Sequence, residues 1–237
     1  RLAAAGRAFA PGSPLLARLL RGRGLPAEAT LRAAHVQEAE PLAFAWCDGG
    51  GLVASGDDGW GTEFGDAVIG RRCAGDAARS RHRWELELVR LDGLLALGIA
   101  DGRMGGNAFL GAESGGRWAA WGWELSPRGW VAAFMADPGP SGCIQSFSPA
   151  AALLPGPGRR VVLGLHVDCD RSLLELHVRL QERPGGPWSW HFVSAVAIPA
   201  ELCAGLDVRP AVSTNIGATV RILGPGESIA GPEDSFG

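Results

Sequence analysis

Lysine and tyrosine are absent from this chain of 237 residues, so all 22 basic positions are arginine, while tryptophan occurs nine times. A GC-rich coding genome accounts for that bias, and its consequence is chemical: no lysine amine is offered to ubiquitin or acetyl transfer. No run approaches the ~18 uncharged apolar residues that a spanning helix needs, which excludes a helical integral membrane protein. The net charge of -3 supplies no basic footprint, which argues against nucleic acid and anionic membranes as partners. The five cysteines (Cys47, Cys73, Cys143, Cys169 and Cys203) are dispersed, with no CxxC and no neighbouring histidine at ligand spacing. Such a set reads as reduced thiols packed as small hydrophobes in an intracellular compartment, cytoplasmic or nuclear.

What is present is enough apolar material for a core: 46% hydrophobic against 20% charged residues. Residues 1–41 form an N-terminal segment, helical or irregular, with five arginines and no acid before residue 28. Helical periodicity is confined to residues 14–38. The segment reads as a linker from a longer polypeptide; an organelle transit peptide or a short amphipathic helix stays open as an alternative, although transit peptides are rich in serine and only Ser13 occurs there. Residues 225–237, rich in Gly and Pro, read as a flexible tail.

Between them, residues 42–224 change texture to short apolar runs separated by Gly, Pro, Asp and Ser, the pattern of an all-β domain. In HRWELELVRL, Trp84, Leu86 and Leu88 share a face opposite Glu85 and Glu87, a half-buried strand. GLLALGIADG, apolar on both faces, follows a turn at Asp92–Gly93 as in a hairpin, and reads as a central strand. RWAAWGWEL and RGWVAAF flank Ser126-Pro127-Arg128-Gly129 as a second hairpin. RRVVLGLHVDCD and SLLELHVRL form a third, turned at Asp170–Arg171, with Val161, Leu163, Leu165, Val167, Leu174, Leu176, Val178 and Leu180 inward. The same alternation puts His166, Asp168, Glu175, His177 and Arg179 on the solvent face. WHFVSAVAI, DVRPAVS and ATVRIL complete roughly a dozen strands, for which two packed antiparallel sheets are the economical architecture.

Catalytic patterns are missing. No G-x-S-x-G elbow occurs, and histidines on strand faces read as structural or surface groups. Asp168 and Asp170 end a strand at a tight turn, where Asp bonds nearby backbone, and calcium needs more oxygen ligands than this stretch offers. The glycine-rich stretches, such as GDDGWG at 56–61, do not join a strand to a helix N-terminus and so make no phosphate cradle. No catalytic residue, metal or cofactor is therefore expected. Trp60 and Trp188 stand in loops, where an indole is either folded under or presented to a partner.

The order of these fragments resembles the SPRY domain family over residues 42–223. Trp84-Glu85-Leu86-Glu87, Leu97-Gly98-Ile99-Ala100, and Phe109-Leu110-Gly111 with Trp121-Gly122-Trp123-Glu124-Leu125 are similar to successive family strands. The last pair is characteristic of its SOCS-box and F-box subgroups. Leu163-Gly164-Leu165-His166-Val167-Asp168, Leu173-Leu174-Glu175-Leu176 and Arg209-Pro210-Ala211-Val212-Ser213 with Gly217 and Val220-Arg221-Ile222 continue the series. The chain departs from the family at RLQERPGGPWSWHFVSAV, an enlarged loop. It also departs near Gly106 and Ile216, where a Tyr and a Trp used for peptide contact align.

The resemblance implies a bent antiparallel two-sheet β-sandwich of concanavalin-like, jelly-roll type whose loops at one end bind a protein or peptide. The expected partner-binding residues are Asp57, Asp58, Trp60, Asn107, Phe109, Trp188 and Asn215. For the two subgroups it further implies substrate recognition for a ubiquitin ligase, with ligase components as partners. A structural interaction unit of a longer multidomain protein is the alternative, and an enzyme or lectin with a deep polar pocket is a third.

Overall fold

The structure, a computed structural model, describes residues 2–4, 7–9, 32, 35–36, 38–47, 51–56, 59, 61–69, 81–104, 106–111, 119–128, 131–136, 143–146, 155–199, 207–224 and 227. Its strands are β1 (Leu2–Ala4), β2 (Arg7–Phe9), β3 (Glu40–Pro41), β4 (Val53–Ser55), β5 (Gly61–Phe64), β6 (Arg81–Leu91), β7 (Leu95–Asp101) and β8 (Ala120–Leu125). They continue with β9 (Val131–Ala136), β10 (Cys143–Ser146), β11 (Arg160–Asp168), β12 (Leu173–Gln181), β13 (Trp188–Ala197), β14 (Val208–Thr214) and β15 (Ala218–Leu223). β1 and β2 pair with each other. The rest form sheet I, in the order β10-β9-β8-β7-β14-β5, and sheet II, in the order β13-β12-β11-β6-β15-β4, with β3 added against β6. All pairings are antiparallel except β3 with β6. Among the described residues no helix is long and apolar enough to cross a membrane.

This is the expected all-β, bent two-sheet sandwich, and the period-two patterns explain why. Trp84, Leu86 and Leu88 of β6, the alternate residues Val161 to Val167 of β11 and Leu174 to Leu180 of β12 line sheet II's inner face. They meet Leu95, Leu97, Ile99, Trp121, Trp123 and Val212 of sheet I in one core. The β8–β9 hairpin forms with Ser126 Oγ accepting from the Arg128 amide (3.3 Å). The β11–β12 hairpin is closed by Asp168 Oδ1, which accepts from the Arg171 amide (3.0 Å), and by Ser172 in the left-handed region at φ 54°. The turn role read for Asp168 is thus observed.

Three local expectations change. First, the turn at Asp92–Gly93 closes no hairpin: β6 lies in sheet II and β7 in sheet I, so the chain crosses between layers there. Two apolar strands joined by a short turn look alike in sequence whether they pair or pack face to face. Second, most of RLQERPGGPWSWHFVSAV is ladder, not loop, since β12 runs to Gln181, which pairs with Trp188 at the start of β13. Third, the outer face of sheet II is covered over part of β11 and β12. His166, Asp168, Glu175, His177 and Arg179 are buried, between 0% and 5% exposed. The cover comes from Arg32 and His35, far away in sequence, and from aromatic residues of β13. The segment immediately before residue 42 also enters the sheet: Glu40 and Pro41 pair with His82 and Arg83, and the Leu42 amide donates to Arg83 O (2.7 Å).

Sheet I's outer face carries small residues (Ala96, Ala100, Ala120, Ala211), over which Met104 and residues 106–110 fold. Met104 and Leu110 are buried there, with Phe109 packed against the same cluster. Thr62 and Ser213 tie that segment down. Their hydroxyls share a 2.6 Å bond, Ser213 Oγ accepts from the Leu110 amide (2.8 Å), and Thr62 Oγ1 donates to Ala108 O.

Candidate binding end and a buried polar layer

At one end of the sandwich the chain passes between the sheets at Gly56, after β4, at residues 92–94 and at residues 215–217. They stack on one another through backbone. The Gly56 amide donates to Ala218 O (3.0 Å), the Asp92 amide to Gly217 O (2.8 Å) and the Asn215 amide to Leu94 O (3.0 Å). Side chains would prevent this approach. A Cβ on Gly93 would lie 2.1 Å from Ile216 O, and one on Gly56 2.2 Å from Asn215 O. Gly217 adopts φ 90°, which an L side chain rarely tolerates. Asn215 caps its own turn, its Oδ1 accepting from the Ile216 amide (2.7 Å), and Ile216 projects at 66% exposure.

Beside these crossings runs an open groove of about 560 Å³, lined among others by Val89, Asp92, Pro127, Pro155, Arg159 and Arg160. Val89 is 53% exposed and sits where the β15–β6 register shifts, a bulge that turns its side chain outward. Across the groove from Asp92, the Arg160 guanidinium lies 5.4 Å from the Trp188 ring. The charges here are largely paired. Arg160 and Arg221 both donate to Glu87 (2.7 and 2.8 Å), and Arg159 bonds Glu182 (2.9 Å). Burial alone would raise the Glu87 pKa, but hydrogen bonds from the two guanidiniums hold it below the ordinary glutamate value.

Of the expected site residues, Asn107, Phe109, Trp188 and Asn215 are among the described residues. Asn215 lies in a crossing. Asn107 is exposed next to Gly106, whose carbonyl accepts from the Thr62 amide (2.8 Å), so the 106–107 turn flanks the start of β5. Phe109 is half-buried on sheet I's outer face. Trp188 is not in a loop: it opens β13, half-buried against Arg160. It lies at the same end as Asn215 but four strands away, ~19 Å at the usual spacing. The groove occupies the interval. Asp57, Asp58 and Trp60 lie outside the described residues. Sequence reasoning missed the groove residues, because Val89 and Arg160 read as ordinary strand positions and only cross-strand order brings them beside Asp92.

The second chemical feature is the buried layer on sheet II. β11 and β12 place His166 directly opposite Glu175, and His177 follows two residues on along the same face. His166 Nδ1 and His177 Nε2 each lie 3.3 Å from the same oxygen, Glu175 Oε2, while Arg32 contacts Oε1. His35 Nε2 is 2.6 Å from Asp168 Oδ2, with Arg81 also on that oxygen (3.3 Å), and Arg179 pairs with Glu85 (2.9 Å). Burial would raise the Glu175 pKa, yet hydrogen bonds from both imidazoles hold it far below the usual carboxylate range. Burial pushes His177 down against the pull of Glu175, and burial together with the neighbouring His166 lowers His35 to about 4. Among the described residues, His166, Glu175 and His177 are the group whose ligand atoms converge enough to hold a metal ion. All three side chains are buried, between 0% and 2% exposed.

No family model and no curated protein matches the chain. Solved structures do resemble it. The SPRY domain of human HERC1 is 12% identical, with 79% of this chain and all of that chain covered at a TM-score of 0.40. The metal-free lectin I-B4 from Griffonia simplicifolia is 12% identical (69% of this chain, 78% of that chain, TM-score 0.39). Lectin II from Ulex europaeus is 10% identical (69% and 79%, TM-score 0.40). At these identities the likeness concerns the sandwich and says nothing of a ligand.

Proposed function

We propose that the chain is a non-catalytic binding module that takes a protein or peptide segment along the end of the sandwich, in the groove between Trp188 and the Asn215–Ile216 corner. The observation that carries this reading is the groove itself, which is open, walled by Val89 and two prolines, and floored by arginines already committed to carboxylates. Open apolar walls with a few oriented polar groups suit an extended segment. An enzyme or glycan site would call for convergent polar groups in an enclosed pocket. Stacked crossings held by backbone bonds keep the rim rigid, so little ordering entropy opposes binding.

The test is selection of ligands from a displayed peptide library on the full chain, followed by binding to Val89→Glu and Ile216→Asp variants. Val89→Glu places a charge on the apolar wall and is expected to weaken the selected peptides by tenfold or more, on the order of 1.4 kcal/mol. Peptides that bind both variants as tightly as the parent would refute the site. Ligase components among captured full-length partners would support the narrower adaptor role, and their absence from a captured complex would leave the module reading alone.

A further inference from the structure

We propose that His166, Glu175 and His177 form a binding site for a divalent transition-metal ion of the zinc class, seated between β11 and β12 beneath the residues that cover sheet II. Two imidazole nitrogens and one carboxylate oxygen are a common donor set for such ions. The three ligand atoms, His166 Nδ1, Glu175 Oε2 and His177 Nε2, come from side chains between 0% and 2% exposed and lie within 4.8 Å of one another.

The spacing of the three ligand atoms is also that of ligands around a metal ion. Charge-assisted N–H···O bonds draw in to about 2.7–2.9 Å. Here both imidazoles stop at 3.3 Å from one oxygen. Ligands about 2.0–2.1 Å from a tetrahedral ion are separated by about 3.3 Å from each other. Two edges of that tetrahedron are therefore already in place. Closing the third, between the imidazole nitrogens, takes at most about 1.5 Å of movement shared by two rings.

The surroundings set the strength of binding. Trp190 packs at a tilt on His177 (4.9 Å), Phe192 meets it edge-on (5.5 Å), and His35 meets the edge of His166 (4.6 Å), so the ligand side chains are shielded from solvent. Two features weaken the site. The outward nitrogens, His166 Nε2 and His177 Nδ1, have no hydrogen-bond partner among the described residues, so the outer acceptors that usually orient metal-bound histidines are missing. Arg32 also brings a positive charge to Glu175 Oε1. Affinity on the order of micromolar follows, instead of the tighter binding of closed structural zinc sites.

The experiment uses the full chain, stripped with a chelator and titrated with Zn²⁺ alone against a chromophoric competitor. One zinc per chain is expected. Binding should fall about a hundredfold or more in His166→Gln and in His177→Gln. Because either variant might lose its fold, two readouts are taken that keep the ligands intact. Co²⁺ added to the wild-type chain should give the visible absorption of a tetrahedral site. Arg32→Gln, which removes the competing charge, should tighten zinc by about tenfold. Less than stoichiometric zinc in excess metal, unchanged affinity in a folded His166→Gln variant, absence of the tetrahedral Co²⁺ spectrum, or weaker zinc binding in Arg32→Gln would each overturn the assignment.

Discussion

His166 and Glu175 face each other across the β11–β12 hairpin, 3.3 Å apart and both buried, on the side of the sheet that strand alternation assigns to solvent. An ionised carboxylate in that position is stabilised by its partners and costly without them, which makes it a sensitive point in the fold.

Replacing Glu175 by alanine leaves Arg32, His166 and His177 without their shared acceptor. A loss of about 3 kcal/mol in unfolding free energy is expected, read from urea denaturation. Glu182→Ala, which removes the exposed partner of Arg159, should change stability by less than about 0.5 kcal/mol. Equal effects would show that burial of the polar layer does not matter to stability.

Glu87 titrates below its ordinary value because Arg160 and Arg221 hydrogen-bond the ionised form. A carboxyl with a depressed folded pKa contributes stability that is present above its unfolded pKa and lost as the pH falls through the folded one. The wild-type chain should therefore lose up to about 1 kcal/mol more than Glu87→Gln as the pH drops below about 4.5, with the two curves parallel above that. Thermal melts across pH 3 to 7 measure it; parallel curves throughout would contradict the ion-pair account.

A methyl group at Gly93 cannot be accommodated without moving the neighbouring corner, since it would meet Ile216 O at 2.1 Å. Gly93→Ala should cost about 2–3 kcal/mol and weaken ligand binding by displacing the rim. Gly156→Ala, beside the same groove but with nothing within 4 Å of the added carbon, should stay within about 0.5 kcal/mol.

The sandwich was legible because period-two patterns mark inward faces, and the inward sets read for β6, β11 and β12 are the ones in the core. The crossing at Asp92–Gly93 was not, because sequence alternation is the same for a hairpin and a corner. The buried polar layer was partly legible: a tight turn at Asp170–Arg171 places His166 against Glu175 by register alone. What sequence could not supply was the cover over that face. Arg32 and His35 reach it from more than a hundred residues away, and long-range contacts leave no local pattern. The groove was invisible for the same reason.

Trp188 flanks the proposed site through its contact with Arg160, which lines the groove. Trp188→Ala should weaken a selected ligand by about 30-fold, about 2 kcal/mol, while lowering stability by less than about 1 kcal/mol. Calorimetry of binding beside a denaturation curve separates the two; unchanged affinity would remove Trp188 from the site.

The most direct test of the binding-end proposal is to map a selected peptide by backbone amide chemical shifts on the full chain. The account predicts perturbations concentrated at Val89–Asp92, Arg159–Arg160, Trp188 and Asn215–Gly217. A peptide that binds specifically while leaving all of those amides unmoved would contradict it.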